Sequence, residues 1–297
     1  MEPAAVKSLR IAQLVPSLRG GGLERVVTDL AIALTRAGHE CAVFVLNGLG
    51  VYQQPLETAG VRVIDCQEGR FRVRGYPRHL VSRLRQFKPD VVHAHSGTWL
   101  PGAVASTLLD LPLVFTDHGR YPPEPRSRAL IQRWCARRTD RIVAVSAPLA
   151  AYVQDFLGLA SNPSVIPNGI DLAPFRDRGD ERGRLRAEWS IPADAVLAIA
   201  VGRFAPVKNH VGMVRALAAA SRTSSRLHLA LLGTGPLEPD IRAEARRLGV
   251  LERVRFLGFR SDVPACLAAA DLWLLASSTE GLPIALLEAM AAGLPIV

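Results

Sequence analysis

Two glutamates stand out in STEGLPIALLEAMAAGLPIV, residues 278–297, where Glu288 is the only polar side chain after Glu280. A carboxylate in the middle of an apolar helix is costly to bury charged unless hydrogen-bond donors meet it. The two vicinal hydroxyls of a ribose would do so, as they do for acidic residues in nucleotide-binding folds; a salt bridge to an arginine is the alternative. Further upstream, GRFAPVKN, residues 202–209, sits between an apolar strand and the helix HVGMVRALAAAS. Arg203 and Lys208 are thus placed at a helix N-terminus, where positive charge opposes the dipole, and a diphosphate between them would resolve the conflict. Plain solvation, or pairing with a carboxylate, would resolve it too.

Three glycines in RGGGLERVV, residues 19–27, lie between a strand and a helix, where backbone amides can approach an anion. A dinucleotide fingerprint requires a third glycine where this chain has Arg25, and no acidic partner ends the second strand, so a nicotinamide cofactor is disfavoured. A tight turn with close helix packing is the bland reading. LLGTGP, residues 231–236, puts Gly233 just after a strand, at the edge where open α/β sheets bind ligands. His118 ends the strand LVFTDH and could face the same ligand or be structural. His93 and His95 in VVHAHSG alternate along a strand and share one face, without a clear third partner for a metal.

The elements that must position these residues alternate between short apolar runs and helical segments, the pattern of parallel sheets covered on both faces. RIAQLV, CAVFVL, VRVID, VVHAH, LVFTDH and RIVAVS read as strands of a first domain, with helices such as LERVVTDLAIALTRAG between them, stopped at Gly38. VLAIAVGRF, LHLALLG, VRFLG, DLWLLAS and LPIV read as strands of a second. PSVIPNGID and the polar, glycine-containing RDRGDERGRLR look like a connection. The expected organisation is α/β, with Rossmann-like domains over residues 1–170 and 191–297, a linker at 171–190 and a cleft between the domains.

The composition, 49% hydrophobic, suits globular cores, and no apolar run reaches the roughly 18 residues of a membrane span. MEPAAVKSLR runs straight into a strand without the look of a secretory leader, which favours the cytoplasm. Cys41, Cys66, Cys135 and Cys266 are far apart and predict buried thiols. Residues 1–170 hold +7 of the net +9 charge. Their arginines cluster at 70–88 and 126–141 with aromatic and apolar residues between, as a surface touching anionic lipid would, or as a solvated face. No nucleic-acid motif accompanies the charge.

Together these residues resemble the retaining nucleotide-sugar glycosyltransferases of the GT-B fold, the family 4-like, group 1 enzymes. GGLERVV, VVHAH, IVAVS, VIPNGID, GRFAPVKN, LLGTGP, VRFLG and EGLPIALLEAMAAGLPIV occur in that family's order, over nearly the whole chain. The last is the most specific, with its glutamate, seven residues and second glutamate. The resemblance implies a second domain that binds a nucleoside-diphosphate sugar and a first that presents a glycan or lipid-linked acceptor. Arg203 and Lys208 would hold the diphosphate, Glu288 the ribose, and Glu280 with Gly281 and Leu282 the transferred sugar. Gly21, Gly22, Gly233 and Leu257, in matching motifs, would line the donor, and His118 would orient sugar or acceptor. It also implies retention of configuration, no metal or other cofactor, a role in cell-surface polysaccharide or lipopolysaccharide synthesis, and a cytoplasmic place at the inner membrane face. The family runs on beyond this point, so the second domain is expected to be incomplete and the activity weak. A nucleotide-sugar epimerase, a phosphorylase or a non-catalytic nucleotide-sugar-binding remnant could share the architecture.

Overall fold

The computed structural model describes residues 7–67, 77–119, 126–176 and 181–297, which divide into two compact units, 1–168 and 169–297. The first alternates strand and helix: β1 (Arg10–Val15), α1 (Gly22–Arg36), β2 (Glu40–Val45), α2 (Gln53–Thr58), β3 (Arg62–Asp65), α3 (Arg78–Phe87), β4 (Val91–His95), α4 (Trp99–Leu109), β5 (Leu113–Asp117), α5 (Arg126–Ala136), β6 (Arg141–Ala144), α6 (Ala147–Leu157) and β7 (Ser164–Val165). Among the described residues the strands form one parallel sheet in the order β3-β2-β1-β4-β5-β6-β7. Parallel strands need crossovers, and right-handed ones put helices on both faces, which is why β1 and β2 are almost continuously apolar and buried. Gln13 in β1 interrupts that run while being fully buried.

The second unit repeats the plan with α7 (Glu181–Glu188), β8 (Val196–Val201), α8 (His210–Ala220), β9 (Leu227–Leu232), α9 (Glu238–Arg247), β10 (Val254–Gly258), α10 (Val263–Ala268), β11 (Leu272–Trp273) and α11 (Ile284–Ala291). Its parallel order is β10-β9-β8-β11. LPIV, expected as a further strand, lies parallel to β11, with a bridge from Ile296 to Trp273 and backbone bonds from Trp273 N–H to Pro295 O, Val297 N–H to Trp273 O and Leu275 N–H to Val297 O, while DLWLLAS yields just two strand residues. The expected linker is partly folded into this unit. Leu185 of α7, with Phe175 before the helix and Trp189 just after it, joins Leu197, Ile199 and Trp273 in its core. Residues 177–180 lie outside the described ones.

Aspartates at the strand entrances fix the register of both sheets. Asp90, Asp140 and Asp271 each stand just before or at the start of a strand, and each accepts a hydrogen bond from the backbone N–H of the neighbouring strand: Arg10 at 2.7 Å, Leu113 at 2.8 Å and Leu197 at 2.7 Å. Each also donates its own N–H to the carbonyl of that same residue at 2.8 Å. Such charge-assisted pairs satisfy a backbone donor in the first one or two residues of a strand. Asp271 further ties down Arg182 and the buried Arg186, whose guanidinium also reaches the carbonyls of Ala269, Pro192 and Ala195.

The arginine-rich segments behave differently from each other. Residues 70–76 of the first lie outside the described residues; the rest becomes α3, which buries Leu80, Val81, Leu84 and Phe87 and keeps arginines outward. The second becomes α5, which leaves Leu130, Ile131 and Trp134 exposed. All four cysteines are buried thiols outside any disulfide. No helix among the described residues is long and apolar enough to cross a membrane.

Candidate functional site

In a doubly wound sheet, ligands bind beyond the carboxyl ends of strands where the strand order reverses, because neighbouring crossovers part there to opposite faces. In the second unit that point lies between β8 and β11. The loop after β8 is GRFAPVKN, and the segment after β11 leads to Glu280. The topology therefore brings together residues 72 positions apart: Lys208 Nζ forms a short ion pair with Glu280 Oε1, both side chains about four-fifths buried. The pairing with a carboxylate that the sequence left open is thus realised with Glu280. The two segments are also joined by Ser278 N–H, which donates to Val207 O at 2.9 Å.

Local chemistry explains how Lys208 is held. Pro206 starts a single 3₁₀ turn over residues 206–208, and Asn209, at φ 51°, then caps α8 by accepting from Gly212 N–H at 3.2 Å. Arg203, on the same loop, is exposed. His210, the first residue of α8, is buried edge-on to Phe204, and burial together with the Lys208 charge pushes its pKa down to about 4. It is neutral at pH 7 and adds no third positive charge.

Gly233 closes the rim between the strands. Its backbone runs so near Gly202 that a Cβ here would lie 2.1 Å from Gly202 O, and its φ of 143° suits glycine alone. Gly233 N–H donates to Gly258 O, next to Leu257, at 2.8 Å, and Phe204 N–H to Thr234 O at 2.9 Å. Gly281 and Leu282 are half-buried between Glu280 and α11, and Pro283 occupies the N-cap of α11, one residue before the helical position expected for it. Glu288 is buried, at 7% exposed, in mid-helix. Arg203, Lys208, Gly233, Leu257, Glu280, Gly281, Leu282 and Glu288 thus all belong to one unit, and Lys208 and Glu280 are in contact.

Gly21, Gly22 and His118 belong to the other. Gly21 caps α1 and Gly22 opens it, at the reversal between β1 and β4. Glu24, in the first turn, folds back over this turn: it accepts from Ser17 Oγ at 3.2 Å, and its Oε2 lies where a Gly21 Cβ would come within 2.5 Å. A carboxylate there complements the helix dipole. His118 follows β5, held by its N–H donating to Ser96 Oγ at 2.8 Å. Its ring contacts His95, and His95 contacts Gln13; neither Gln13 nor this chain of contacts was singled out from the sequence, although a lone glutamine within an apolar strand is a usable signal. His93 does share a face with His95, at 4.1 Å between ring centroids, and bonds to Thr116 Oγ1 at 2.8 Å. Burial pushes His93 and His118 down to about 4 and holds His95 well below its ordinary value, so all three rings are neutral at pH 7.

Comparison with known proteins gives a consistent picture. Residues 20–174 match the model described as Glycosyltransferase Family 4, and residues 181–297 match Glycosyl transferases group 1. A putative glycosyltransferase, EpsF of Bacillus subtilis, is 37% identical over 226 residues, covering 73% of this chain and 53% of that protein. The lipopolysaccharide core biosynthesis glycosyltransferase LpsE of Rhizobium meliloti is 31% identical over 284 residues, covering 94% of this chain and 76% of that protein. Among solved structures, Anabaena HepE in complex with UDP and glucose superposes with a TM-score of 0.85 at 25% identity, over 97% of this chain and 80% of that one. The chain therefore spans from about half to four-fifths of these proteins, and its fold is that of the GT-B glycosyltransferases.

Proposed function

The chain belongs to the group 1 glycosyltransferases with a family 4 N-terminal region, and we propose that it moves a hexose-type sugar from a nucleoside-diphosphate sugar to a glycan or lipid-linked acceptor, with retention. The observation that carries this reading is the Lys208–Glu280 pair at the β8/β11 reversal, beside Arg203 and in the unit that buries Glu288. A diphosphate arriving there exchanges one anionic partner of Lys208 for a stronger one. Glu280 is then released to accept from hydroxyls of the sugar, and Glu288 accepts from the ribose. Arg203 and Lys208 stabilise the charge that grows on the departing diphosphate, which is where electrostatic preorganisation contributes most to rate. In this reading they supply the positive charge, and a metal is not required. His118 orients a hydroxyl of sugar or acceptor.

The acceptor side of the proposal rests on α5. Leu130, Ile131 and Trp134 are 68%, 49% and 36% exposed on a helix that also carries Arg133 and is followed by the exposed Arg137 and Arg138. Apolar side chains between arginines suit the headgroup region of an anionic bilayer, and with it a lipid-linked acceptor in polysaccharide or lipopolysaccharide synthesis at the inner membrane face. Flotation with anionic but not neutral vesicles is expected, and equal flotation with both would refute it.

The central test is transfer from UDP-glucose and a panel of other nucleotide sugars to membrane-extracted acceptors. Lys208→Ala should lower turnover roughly 10- to 100-fold, the worth of a charge-assisted hydrogen bond, with a smaller change in the acceptor's apparent binding constant. Unchanged turnover would overturn the assignment. Binding of UDP-glucose without turnover would support a non-catalytic binding protein instead, and interconversion of the free nucleotide sugars an epimerase.

A further inference from the structure

The first sheet holds a polar chain that the proposed transfer does not yet use. Gln13 on β1 and His95 on β4 are 0% and 1% exposed, and the parallel register puts Gln13 opposite His93, on the face that His95 shares. Gln13 Oε1 lies 2.7 Å from His95 Nε2, and His95 Nδ1 lies 2.9 Å from His118 Nε2. At the two ends, Gln13 Nε2 and His118 Nδ1 are both sealed from water and have no hydrogen-bond partner among the described residues.

Two neutral imidazoles in series with an amide admit only two consistent proton arrangements. With the amide oxygen toward His95, as in the structure, His95 donates from Nε2 and must accept at Nδ1. His118 then donates from Nε2 and carries a bare lone pair on Nδ1. With the amide reversed, every proton shifts and His118 Nδ1 becomes a donor. The groups that face these rings are His93 beside His95, Thr116 bonded to His93, and Ser96 and Asp117 below the His118 backbone; Ser96 Oγ, which receives the His118 N–H, itself donates to Asp117 Oδ1 at 3.2 Å.

We propose that Gln13 and His95 are positioning residues that fix His118 as the Nε2–H tautomer, so that its Nδ1, enclosed in the structure, serves as a hydrogen-bond acceptor for a sugar or acceptor hydroxyl once binding uncovers it. An acceptor with no protein partner and no water gains a full hydrogen bond from a hydroxyl brought against it. The direction of that bond is set two side chains away, at a strand position carrying no charge. The inference deepens the reading of His118 as a residue that orients a hydroxyl and rests on that reading.

The test is a long-range proton–nitrogen correlation spectrum of the whole chain labelled with ¹⁵N-histidine, at neutral pH, with His118 assigned by its loss in His118→Ala. The expected wild-type spectrum shows His118 with a protonated Nε2 and a bare Nδ1, favoured about tenfold, the bias that one net hydrogen bond sustains. Gln13→Met, which keeps the side-chain length and removes the amide, should bring the two tautomers to within about threefold of each other. It should also lower kcat with UDP-glucose more than it changes KM. A wild-type His118 protonated on Nδ1, or a tautomer unmoved by Gln13→Met, overturns the proposal; should Gln13→Met not fold, the wild-type spectrum alone decides. The reading beneath it fails separately: His118→Ala with undiminished transfer removes the role of His118 while leaving the wild-type tautomer as observed.

Discussion

Gly233→Ala isolates the close approach on which the rim of the second sheet depends. The added Cβ would stand 2.1 Å from Gly202 O and 2.9 Å from Gly202 C, whereas unstrained contacts need more than about 3 Å, so the ends of β8 and β9 must part by roughly 1 Å. Overpacking of this kind costs about 1–3 kcal/mol, and holding alanine at φ 143° adds about 1–3 kcal/mol. A loss of about 4 kcal/mol is expected, or about 10 °C or more in the melting of a unit this size. Gly249→Ala in the same unit is the control. Its φ is 69° with nothing within 4 Å of the added atom, so only the left-handed strain of about 1 kcal/mol applies. Urea unfolding of both variants measures the difference, and calorimetry with UDP-glucose reads the consequence at Arg203, the residue next to the displaced Gly202, where affinity should fall at least about tenfold. Equal unfolding free energies for the two variants would refute the packing argument, and wild-type UDP-glucose affinity in Gly233→Ala would refute the link from that rim to the site.

Glu280→Gln should change thermal stability by no more than about 1 kcal/mol, as for pairs that keep some solvent, yet impair transfer from UDP-glucose; a large stability loss with normal transfer would show the pair to be structural. Asp271→Ala should cost about 3 kcal/mol in urea unfolding, because it strands the buried Arg186 and the Leu197 N–H together, whereas Arg182→Ala, removing only an exposed partner, should cost less than about 1 kcal/mol. The buried histidines give a pH dependence whose sign is fixed. His93 and His118 are held by burial at about 4 against an ordinary 6.5, so the unfolded chain takes up protons the folded one refuses, and stability falls as pH drops from about 6.5 to about 4, with no effect above 7. At 1.36 kcal/mol per pH unit the gap is worth up to about 3 kcal/mol per ring, and since both rings are only partly enclosed roughly half of that is expected. Urea midpoints across this range should fall less steeply in a His93→Asn, His118→Gln double variant than in the wild type; parallel curves would refute it.

Apolar runs bounded by turn formers were enough to find β1 to β6 and β8 to β10, because burial on both faces leaves a strand little but Val, Ile, Leu and Ala. β7 escaped since its two residues, Ser164 and Val165, are exposed and sit in a turn-rich stretch. The segment 171–190 read as a linker because charge dominates α7, while Leu185 and Trp189, which anchor it in the core, are too few to show a period. Lys208 and Glu280 were each legible beside a helix start, but their contact was not: it arises from strand order, which no local spacing encodes. The same holds for Gln13, His95 and His118, supplied by three strands that become neighbours only once the sheet is wound.

The entrance aspartates have a consequence for how these sheets can change. Asp90, Asp140 and Asp271 each grip the adjoining strand by two bonds at the amino-terminal border, whereas the opposite border of the second sheet is drawn together by glycine backbone and one ion pair. One border acts as a hem and the other as a mouth. Loops at the mouth can be exchanged, lengthened or recoloured in charge without unpicking the strand order, since the alignment is sewn at the far side. Substrate preference in such a chain can drift while its sheets stay in step.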